Sequence, residues 1–193
     1  MCMMKGIDVS ENNGVVDWQK VAAAGYKFAI IRCSYGQHEW DEMFAMNVQG
    51  AHDAGLLVGA YHYSYGLSVE DAKREAENCM SALDYAGVEL DLPVFFDMED
   101  ADGYKSEHGF AFDPQEITDM CKAFIDAFNG VLDVGVYASY SWFEEYIDWR
   151  SLGCPIWNAQ WSESDDLKGY MWQYTDGAVI GGKYFDANVI YGE

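Results

Sequence analysis

Positively charged side chains are scarce in this chain, which has 11 Lys and Arg residues against 33 Asp and Glu residues. The formal net charge is therefore -22 at pH 7. Nucleic-acid binding depends on cationic side chains that displace the counterions of phosphate groups. We therefore expect no nucleic-acid partner, and no attraction to an anionic membrane surface either.

Long apolar runs are missing as well. No stretch approaches the ~20 apolar residues that a membrane-spanning helix needs. The N-terminal residues MCMMKGID lack the apolar segment that follows a basic patch in a secretory signal. We therefore expect neither a membrane span nor a signal peptide in this sequence.

The cysteines lack the C-x-x-C spacing of metal and redox sites, and their number is five, so they cannot all pair within one chain. We expect reduced thiols. Apart from Cys2, they lie in apolar or periodic segments, where free cysteine is usually a small buried hydrophobe: Cys33, Cys79, Cys121 and Cys154.

Several other signatures are missing. There is neither a phosphate-binding Walker loop nor a Gly-x-Ser-x-Gly nucleophile turn, so phosphoryl transfer and serine hydrolysis lack their parts. No repeat, low-complexity tract or linker divides the 193 residues, half of which are hydrophobic. We therefore expect a single globular domain over residues 1–193, with no separate wall-binding domain.

What the chain does contain is an alternation of short apolar runs with helical segments, the pattern of β-α units around a parallel sheet. Eight such runs predict a closed α/β barrel. The predicted strands are Gly6 to Ser10, Phe28 to Ser34, Leu57 to Ser64, Pro93 to Glu99, Val134 to Tyr140, Pro155 to Trp161, Tyr170 to Tyr174 and Phe185 to Ile190.

The intervening helices carry start and stop signals. Asp113-Pro114 followed by Glu116 predicts a capped helix start, and Ser68 with Asp71 predicts another that stops at Gly87. Shorter helices are predicted at Asp17 to Gly25 and Asp41 to Gly55. Since the long helices stop after Tyr140, we expect the last third of the barrel to be irregular.

The strongest local signal is the segment Pro93-Val-Phe-Phe-Asp97-Met-Glu99. Side chains alternate along a strand, so Asp97 and Glu99 should share one face, with Cα atoms ~7 Å apart. They lie at the carboxyl end of an apolar strand, where barrel enzymes place their catalytic groups. Two close carboxyl groups resist ionising together, which suits an acid and an anion in glycosidic cleavage. A solvated acidic strand end or a metal site would give the same pattern.

Two further acids occupy matching places on the first and last predicted strands, Asp8 and Asp186. These strands are neighbours in a closed barrel, so both acids could face the same mouth. For Asp8 alone, a helix-capping or loop-capping role is an equal alternative.

Aromatic side chains supply candidates for sugar binding, because their flat faces suit sugar rings. Strand alternation places Tyr61 and Tyr63 opposite His62, so that one set lines the barrel interior. His62 alone is more typical of a core residue than of a ligand. Of the other aromatics, we select Tyr137 and Trp161 as cleft residues, and the segment Ala101 to Phe112 as a rim loop.

The motifs together resemble those of the glycoside hydrolase family 25 muramidases, the Chalaropsis-type lysozymes. The similarity runs through nearly the whole chain. It is carried by Gly6-Ile7-Asp8-Val9-Ser10, Asp17-Trp18, Ala54-Gly55-Leu56, Gly59-Ala60-Tyr61-His62, Asp97-Met98-Glu99, Trp157-Asn158-Ala159-Gln160-Trp161, Trp172-Gln173-Tyr174 and Phe185-Asp186-Ala187-Asn188. A departure is Tyr63, where Phe is frequent.

This resemblance implies an irregular TIM-like barrel, (β/α)5(β)3, that cleaves the β-1,4 bond between N-acetylmuramic acid and N-acetylglucosamine. It implies Glu99 as the proton donor. Asp97 then either stabilises the charge or orients the substrate acetamido group, with Asp8 and Asp186 as supporting carboxylates and Gln160 among the substrate-binding residues.

The resemblance also implies the expected partner and place of action. We expect peptidoglycan glycan strands as the partner, no cofactor, no metal and a monomer. The wall would be reached outside the cell or after release at lysis. Two alternatives remain: a non-catalytic glycan-binding barrel, and a divalent-metal-dependent hydrolase using Asp8, Asp97, Glu99 and Asp186 as oxygen ligands.

Overall fold

The apolar runs of the sequence form the strands of one closed sheet in the computed structural model, which describes residues 3–192. The strands are β1 (Met4–Val9), β2 (Phe28–Tyr35), β3 (Glu39–Trp40), β4 (Leu57–Tyr63), β5 (Val94–Asp97), β6 (Val134–Ser139), β7 (Ile156–Ala159), β8 (Met171–Ile180) and β9 (Lys183–Ile190).

The helices follow the strands until β7 is reached. They are α1 (Trp18–Ala23), α2 (Phe44–Asp53), α3 (Val69–Ala86), α4 (Tyr104–Glu107), α5 (Pro114–Ala127), α6 (Tyr140–Glu145) and α7 (Trp149–Leu152). The two helices after β6 are short, as predicted for this part of the barrel. Within residues 3–192, no helix combines the length and the apolar character needed to span a bilayer.

The sheet closes because β1 pairs both with β2, in parallel, and with β9, in antiparallel orientation. Between them the order is β9-β8-β7-β6-β5-β4-β2, and neighbours from β2 to β8 are parallel. Five β-α units are thus followed by three strands without intervening helices. This confirms the predicted (β/α)5(β)3 barrel.

Several strand limits differ from the prediction. Strand β5 ends at Asp97, so Glu99 lies two residues beyond the ladder. The last two strands form a long antiparallel hairpin around Gly181 and Gly182, whose φ angles of 58° and 86° suit a tight two-residue turn. The two-residue strand β3 was not predicted, because it is too short to show a pattern.

The two longest helices begin and end where their capping residues predict. The Ser68 hydroxyl accepts a hydrogen bond from the Asp71 amide, and Gly87 ends α3 with the left-handed φ of 60°. The Asp113 carboxylate accepts hydrogen bonds from the first-turn amides of α5, and Pro114 is the first helical residue.

The core has two layers, separated by the wall of the barrel. Alternate residues of the strands fill the interior, including Phe28, Phe95 and Trp157. Their neighbours point outward to the helices, as Phe96 does in stacking on Phe124 of α5 with 4.1 Å between ring centroids. These side chains fill the interior of the barrel between its two ends.

The cysteines within the described residues are free. Cys33, Cys79 and Cys121 are buried and Cys154 is half-buried, whereas Cys2 lies outside the described residues. The prediction that the cysteines are small buried hydrophobic residues is therefore confirmed for Cys33, Cys79 and Cys121.

Candidate active site

A cavity of about 310 Å³ opens at the carboxyl ends of the barrel strands. This is the end of the barrel at which enzymes of this architecture carry their active sites. Its lining is dominated by acids and aromatic rings, here called the acidic cavity: Asp8, Asp97, Glu99 and Asp186, with Tyr61, Tyr63, Tyr137 and Trp157.

The four acids reach the acidic cavity from three places in the fold. Asp97 is the last residue of β5, and Glu99 follows it in the loop towards α4. Asp8 of β1 and Asp186 of β9 are paired residues of the two strands that close the barrel. The structure therefore brings together four carboxyl groups that are up to 178 residues apart in the chain, from Asp8 to Asp186.

Asp97, the last residue of β5, is the more deeply buried member of the Asp97–Glu99 pair. Asp97 is only 5% exposed, and its buried Oδ1 atom has no hydrogen-bond partner. Burial raises the pKa of Asp97 well above its ordinary value, and the negative charge of Glu99 raises it further. This carboxyl group lacks the donors that normally stabilise a buried anion.

Glu99 is more accessible than Asp97, being half-buried at the mouth of the acidic cavity. Burial raises its pKa to about 7; the ammonium group of Lys105 opposes this increase, and the charge of Asp8 adds to it. Since both members have raised pKa values, the pair keeps at least one proton near neutral pH. That is the property required of a general acid.

Asp8 is held by two amide groups. Its Oδ2 atom accepts hydrogen bonds from Asn188 Nδ2 at 2.7 Å and from Gln173 Nε2 at 3.0 Å. Burial nevertheless raises the pKa of Asp8 to about 6. Burial, followed by the charge of Asp8, raises the pKa of Asp186 to about 8.

The aromatic residues of the acidic cavity are connected to this amide network. The Tyr137 hydroxyl donates to Gln173 Oε1 at 3.1 Å, and Trp157 Nε1 donates to Asn188 Oδ1 at 2.8 Å. Tyr137 and Trp157 pack edge to face, with ring centroids 4.5 Å apart. One hydrogen-bonded unit therefore fixes both the wall of the cavity and the carboxylate of Asp8.

Two residues predicted for substrate binding lie outside the lining. Trp161 is 61% exposed and donates through Nε1 to Gln173 Oε1 at 3.2 Å, which places it beside the acidic cavity. Gln160 has its side chain engaged within its own loop, where Nε2 donates to Asp166 at 2.7 Å and Oε1 accepts from the Asp166 amide. Tyr61 and Tyr63 line the cavity.

His62 faces away from the acidic cavity, as the alternation predicted. It is fully buried, its Nδ1 lies 2.7 Å from the Ser34 hydroxyl, and its ring packs between the strand wall and Phe124 of α5. This environment is that of a core histidine.

Sequence reasoning missed Arg32, Gln173 and Trp157 as lining residues. Arg32 carried a usable signal, because it is a charged residue inside the apolar run of β2. In the structure it forms ion pairs with Asp41 at 3.0 Å and Glu11 at 2.9 Å. Gln173 and Trp157 stand within motifs that were noted, but nothing in the pattern separated them from core residues.

A second cavity, of about 390 Å³, lies at the opposite end of the barrel. Two acids line it, Asp91 and Asp133, and Asp91 accepts a hydrogen bond from the Val58 amide and lies 3.0 Å from His52 Nε2. The Val58 bond holds the pKa of Asp91 below its ordinary value, so this group is ionised and cannot supply a proton.

Among the described residues, no group of three His, Cys, Asp or Glu side chains has the proximity needed to hold a metal ion. No three of the four cavity acids therefore lie close enough together to form such a ligand set. The geometry offers no support to the metal-dependent alternative.

The combination of a β-α barrel with a proton-holding carboxyl pair at its mouth is typical of glycoside-cleaving enzymes. Comparison with known proteins gives the particular family. The model of the family described as Glycosyl hydrolases family 25 matches residues 7–183. The chain belongs to this family, which confirms the resemblance seen in its motifs.

Individual relatives support the same assignment. The autolytic lysozyme of Clostridium acetobutylicum is 28% identical over 183 residues, covering 93% of this chain and 52% of the relative. Lysozyme M1 of Streptomyces globisporus is 27% identical over 202 aligned positions, covering 93% of this chain and 64% of the relative. The chain thus spans between half and two thirds of the length of these relatives.

A solved structure supports the fold. The bacterial lysozyme of Streptomyces coelicolor superimposes with a TM-score of 0.81 at 25% identity, covering 98% of this chain and 92% of that one. The order of strands and helices described above is therefore that of a family 25 barrel.

Proposed function

We propose that this protein is an N-acetylmuramidase, a lysozyme that hydrolyses the β-1,4 bond between N-acetylmuramic acid and N-acetylglucosamine in bacterial peptidoglycan. The observation that carries the proposal is that Asp97 and Glu99 line one open cavity in which burial raises the pKa of both carboxyl groups. Membership of a family whose compared relatives are named lysozymes supports it.

Glu99 is the general acid in this proposal. It is the more accessible carboxyl group of the pair, so it can reach the glycosidic oxygen of a bound strand. As the bond between C1 and that oxygen breaks, the proton moves from Glu99 to the leaving sugar. The resulting Glu99 carboxylate then accepts a proton from the water that attacks C1.

Asp97 orients the acetamido group of the cleaved sugar. Its Oδ1 atom is buried without a hydrogen-bond donor, and an acetamido N–H would supply one. Held in this way, the acetamido oxygen attacks C1 and forms a cyclic intermediate, which is the substrate-assisted route. Donation by the N–H group also favours the ionised form of Asp97, which burial disfavours.

The remaining residues hold the substrate and the acids. Tyr61, Tyr63 and Tyr137 offer ring faces and hydroxyl groups inside the cavity, and exposed Trp161 extends this surface beside it. Asp8 supports the site through the amide network, and Asp186 supports it as the neighbour of Asp8 on β9; neither transfers a proton to the substrate in this proposal. Gln160 stays a predicted contact, which requires its loop to release the Asp166 bond.

The proposed partner is the glycan strand of the wall, which the protein meets outside the cell or after lysis, as a monomer without a cofactor.

The test is digestion of purified peptidoglycan, followed by borohydride reduction of the new ends. Reduced muramic acid should appear, and Glu99→Gln should lower its release at least a hundredfold, the usual contribution of a general acid. Glu107→Gln is the matched control, since Glu107 is exposed on α4 and does not line the cavity. Reduced glucosamine, or free amino groups instead of reducing ends, would contradict the proposal.

The same assay separates the alternatives. Binding of wall fragments with no reducing ends from the wild-type protein would establish a binding barrel. Loss of activity in a chelator, restored by a divalent cation, would establish the metal-dependent hydrolase.

A further inference from the structure

Lys105 is a buried cation next to the acidic cavity, and no step of the proposed reaction uses it. Lys105 is 1% exposed and belongs to the short helix α4. The ammonium Nζ donates to the backbone carbonyl oxygen of Glu99 at 3.0 Å and to that of Ser64. Burying an ammonium group is unfavourable unless hydrogen bonds and nearby charge compensate it.

The hydrogen bond to Glu99 closes a loop of the main chain. The Asp100 carboxylate accepts hydrogen bonds from the backbone N–H of Lys105 at 2.6 Å and from that of Ser106 at 3.1 Å. These bonds fix the turn between Asp100 and Lys105. The side chain of Lys105 then returns to the carbonyl of Glu99. Because Glu99 lies beyond the end of β5, the ladder does not hold it, and this contact supplies an anchor.

Lys105 also joins two strands. Ser64 follows β4, and its amide donates to the carbonyl oxygen of Asp97 at 3.0 Å. The ammonium group of Lys105 therefore connects the residue that follows β4, Ser64, with Glu99 beyond the end of β5. Movement of Lys105 would move the backbone of both acids.

The charge of Lys105 acts on the same acids. The titratable groups that face it are Glu75 of α3, Asp97 of β5, Asp100 and Asp102 of the turn, and the Cys121 thiol of α5. It lowers the pKa of Asp97 and of Glu99 against the effect of burial.

The acids around Glu99 act in the opposite direction. Asp8, Asp100 and Asp102 each raise its pKa, so Lys105 is the cation that balances them.

We propose that Lys105 is a positioning residue for the carboxyl pair. Its ammonium group anchors the main chain of Glu99 and supplies the positive charge that keeps the pair from binding a second proton. The inference rests on the proposed function of the pair, and it assigns Lys105 no contact with the substrate.

The test compares Lys105→Met, which has similar length and no charge, with Lys105→Arg, which keeps the charge. Loss of the charge should move both limbs of the pH–rate profile upward by about one pH unit, the lower end of the effect of a close charge. At a pH on the acid limb the rate should fall about tenfold. Lys105→Arg should restore most of the wild-type profile, and Lys122→Met, an exposed lysine of α5, should leave it unchanged.

A structural role alone would give a different result. It predicts a lower unfolding temperature and a lower rate at every pH, with limbs in their wild-type positions, and this outcome would overturn the inference. Should Lys105→Met fail to fold, Lys105→Gln keeps a hydrogen-bond donor and removes the same charge.

The inference and the proposed function can fail separately. Titration of the Glu99 carboxyl carbon by NMR measures the effect of Lys105 without any substrate. If the Lys105→Met titration moves upward but no muramic acid ends are released by wild type, only the proposed function fails. If wild type is active and the titration does not move, only the inference fails.

Discussion

Asp8 and Asp186 lie directly opposite each other across the antiparallel pair of β1 and β9, which closes the barrel. Burial raises the pKa of Asp8 to about 6, and burial with the charge of Asp8 raises that of Asp186 to about 8. Because the pKa of Asp186 is raised further than that of Asp8, we expect Asp186 to hold the proton of this pair at pH 7 and Asp8 to carry the charge. The Asp8 carboxylate accepts hydrogen bonds from the amides of Asn188 and Gln173.

This division of roles predicts unequal effects of the two amide substitutions. Asp186→Asn replaces a group that is already neutral, so we expect kcat/KM at pH 7 to stay within about threefold of wild type. Asp8→Asn removes the acceptor of two amide groups, at a cost of about 1–3 kcal/mol, so a loss of about tenfold or more is expected. Steady-state hydrolysis of soluble glycan fragments measures both, and equal losses would contradict the assignment.

The raised pKa values also predict how stability depends on pH. For Asp8, Glu99 and Asp186 the folded values of about 6, 7 and 8 lie above the ordinary values of 3.8, 4.5 and 3.8. The folded state then binds more protons than the unfolded state between about pH 4 and pH 8. The free energy of unfolding should consequently decrease as the pH rises through that range, and thermal unfolding from pH 4 to pH 8 checks this.

A single substitution isolates the contribution of the buried acid. Asp97→Asn removes the carboxyl group whose ionisation the fold disfavours most, so the variant should melt above wild type at pH 8 and approach it at pH 4. Its activity should fall, as expected where a functional group is held at the expense of stability. Asp84→Asn, on the exposed side of α3, should not reproduce the pH-dependent gain. A variant less stable than wild type at pH 8 would contradict the prediction.

The periodic parts of the fold could be predicted from sequence because burial imposes the pattern. The apolar runs gave the eight barrel strands, and Ser68 and Asp113 marked the starts of α3 and α5 because unpaired amides need an acceptor there. The hairpin of β8 and β9 was underestimated, since its outer half is solvent-exposed and has no apolar alternation.

The sequence could predict those site residues whose place follows from the end of a strand. It could not predict residues whose long side chains reach the site through tertiary contacts. Asp97 follows a buried strand, and Asp8 occupies the end of another, so topology alone places them at the mouth. Lys105 lies in the short helix α4, within a polar segment that shows no periodicity, and only the folded chain brings its ammonium group to the Glu99 carbonyl. Arg32 stood in an apolar run, but its partners Glu11 and Asp41 are distant in sequence.

The ion pairs of Arg32 predict a stability effect. Its guanidinium contacts Asp41, whose side chain is fully buried, at 3.0 Å and the partly exposed Glu11 at 2.9 Å. Arg32→Met would remove the cation that pairs with the buried carboxylate and leave it with the Glu11 and Met43 amides as donors, which costs about 3 kcal/mol.

The matched control is Lys20→Met, since Lys20 pairs with Asp17 at 2.8 Å on the exposed surface. Its loss should cost less than about 1 kcal/mol. Urea unfolding of both variants at pH 7 measures the difference, and similar losses would show that Asp41 does not depend on Arg32.

The net charge of -22 predicts an unusual salt dependence for attack on whole cell walls. An anionic wall repels this surface, and moderate salt screens the repulsion because the screening length is ~10 Å at 0.1 M. The rate on intact walls should therefore rise with NaCl to about 0.1 M, and with millimolar Mg²⁺, which also neutralises wall anions. Short neutral glycan fragments should show little change over the same range. A rate on walls that only decreases with salt would mean that a local attraction, such as one made by Arg32, outweighs the charge of the whole protein.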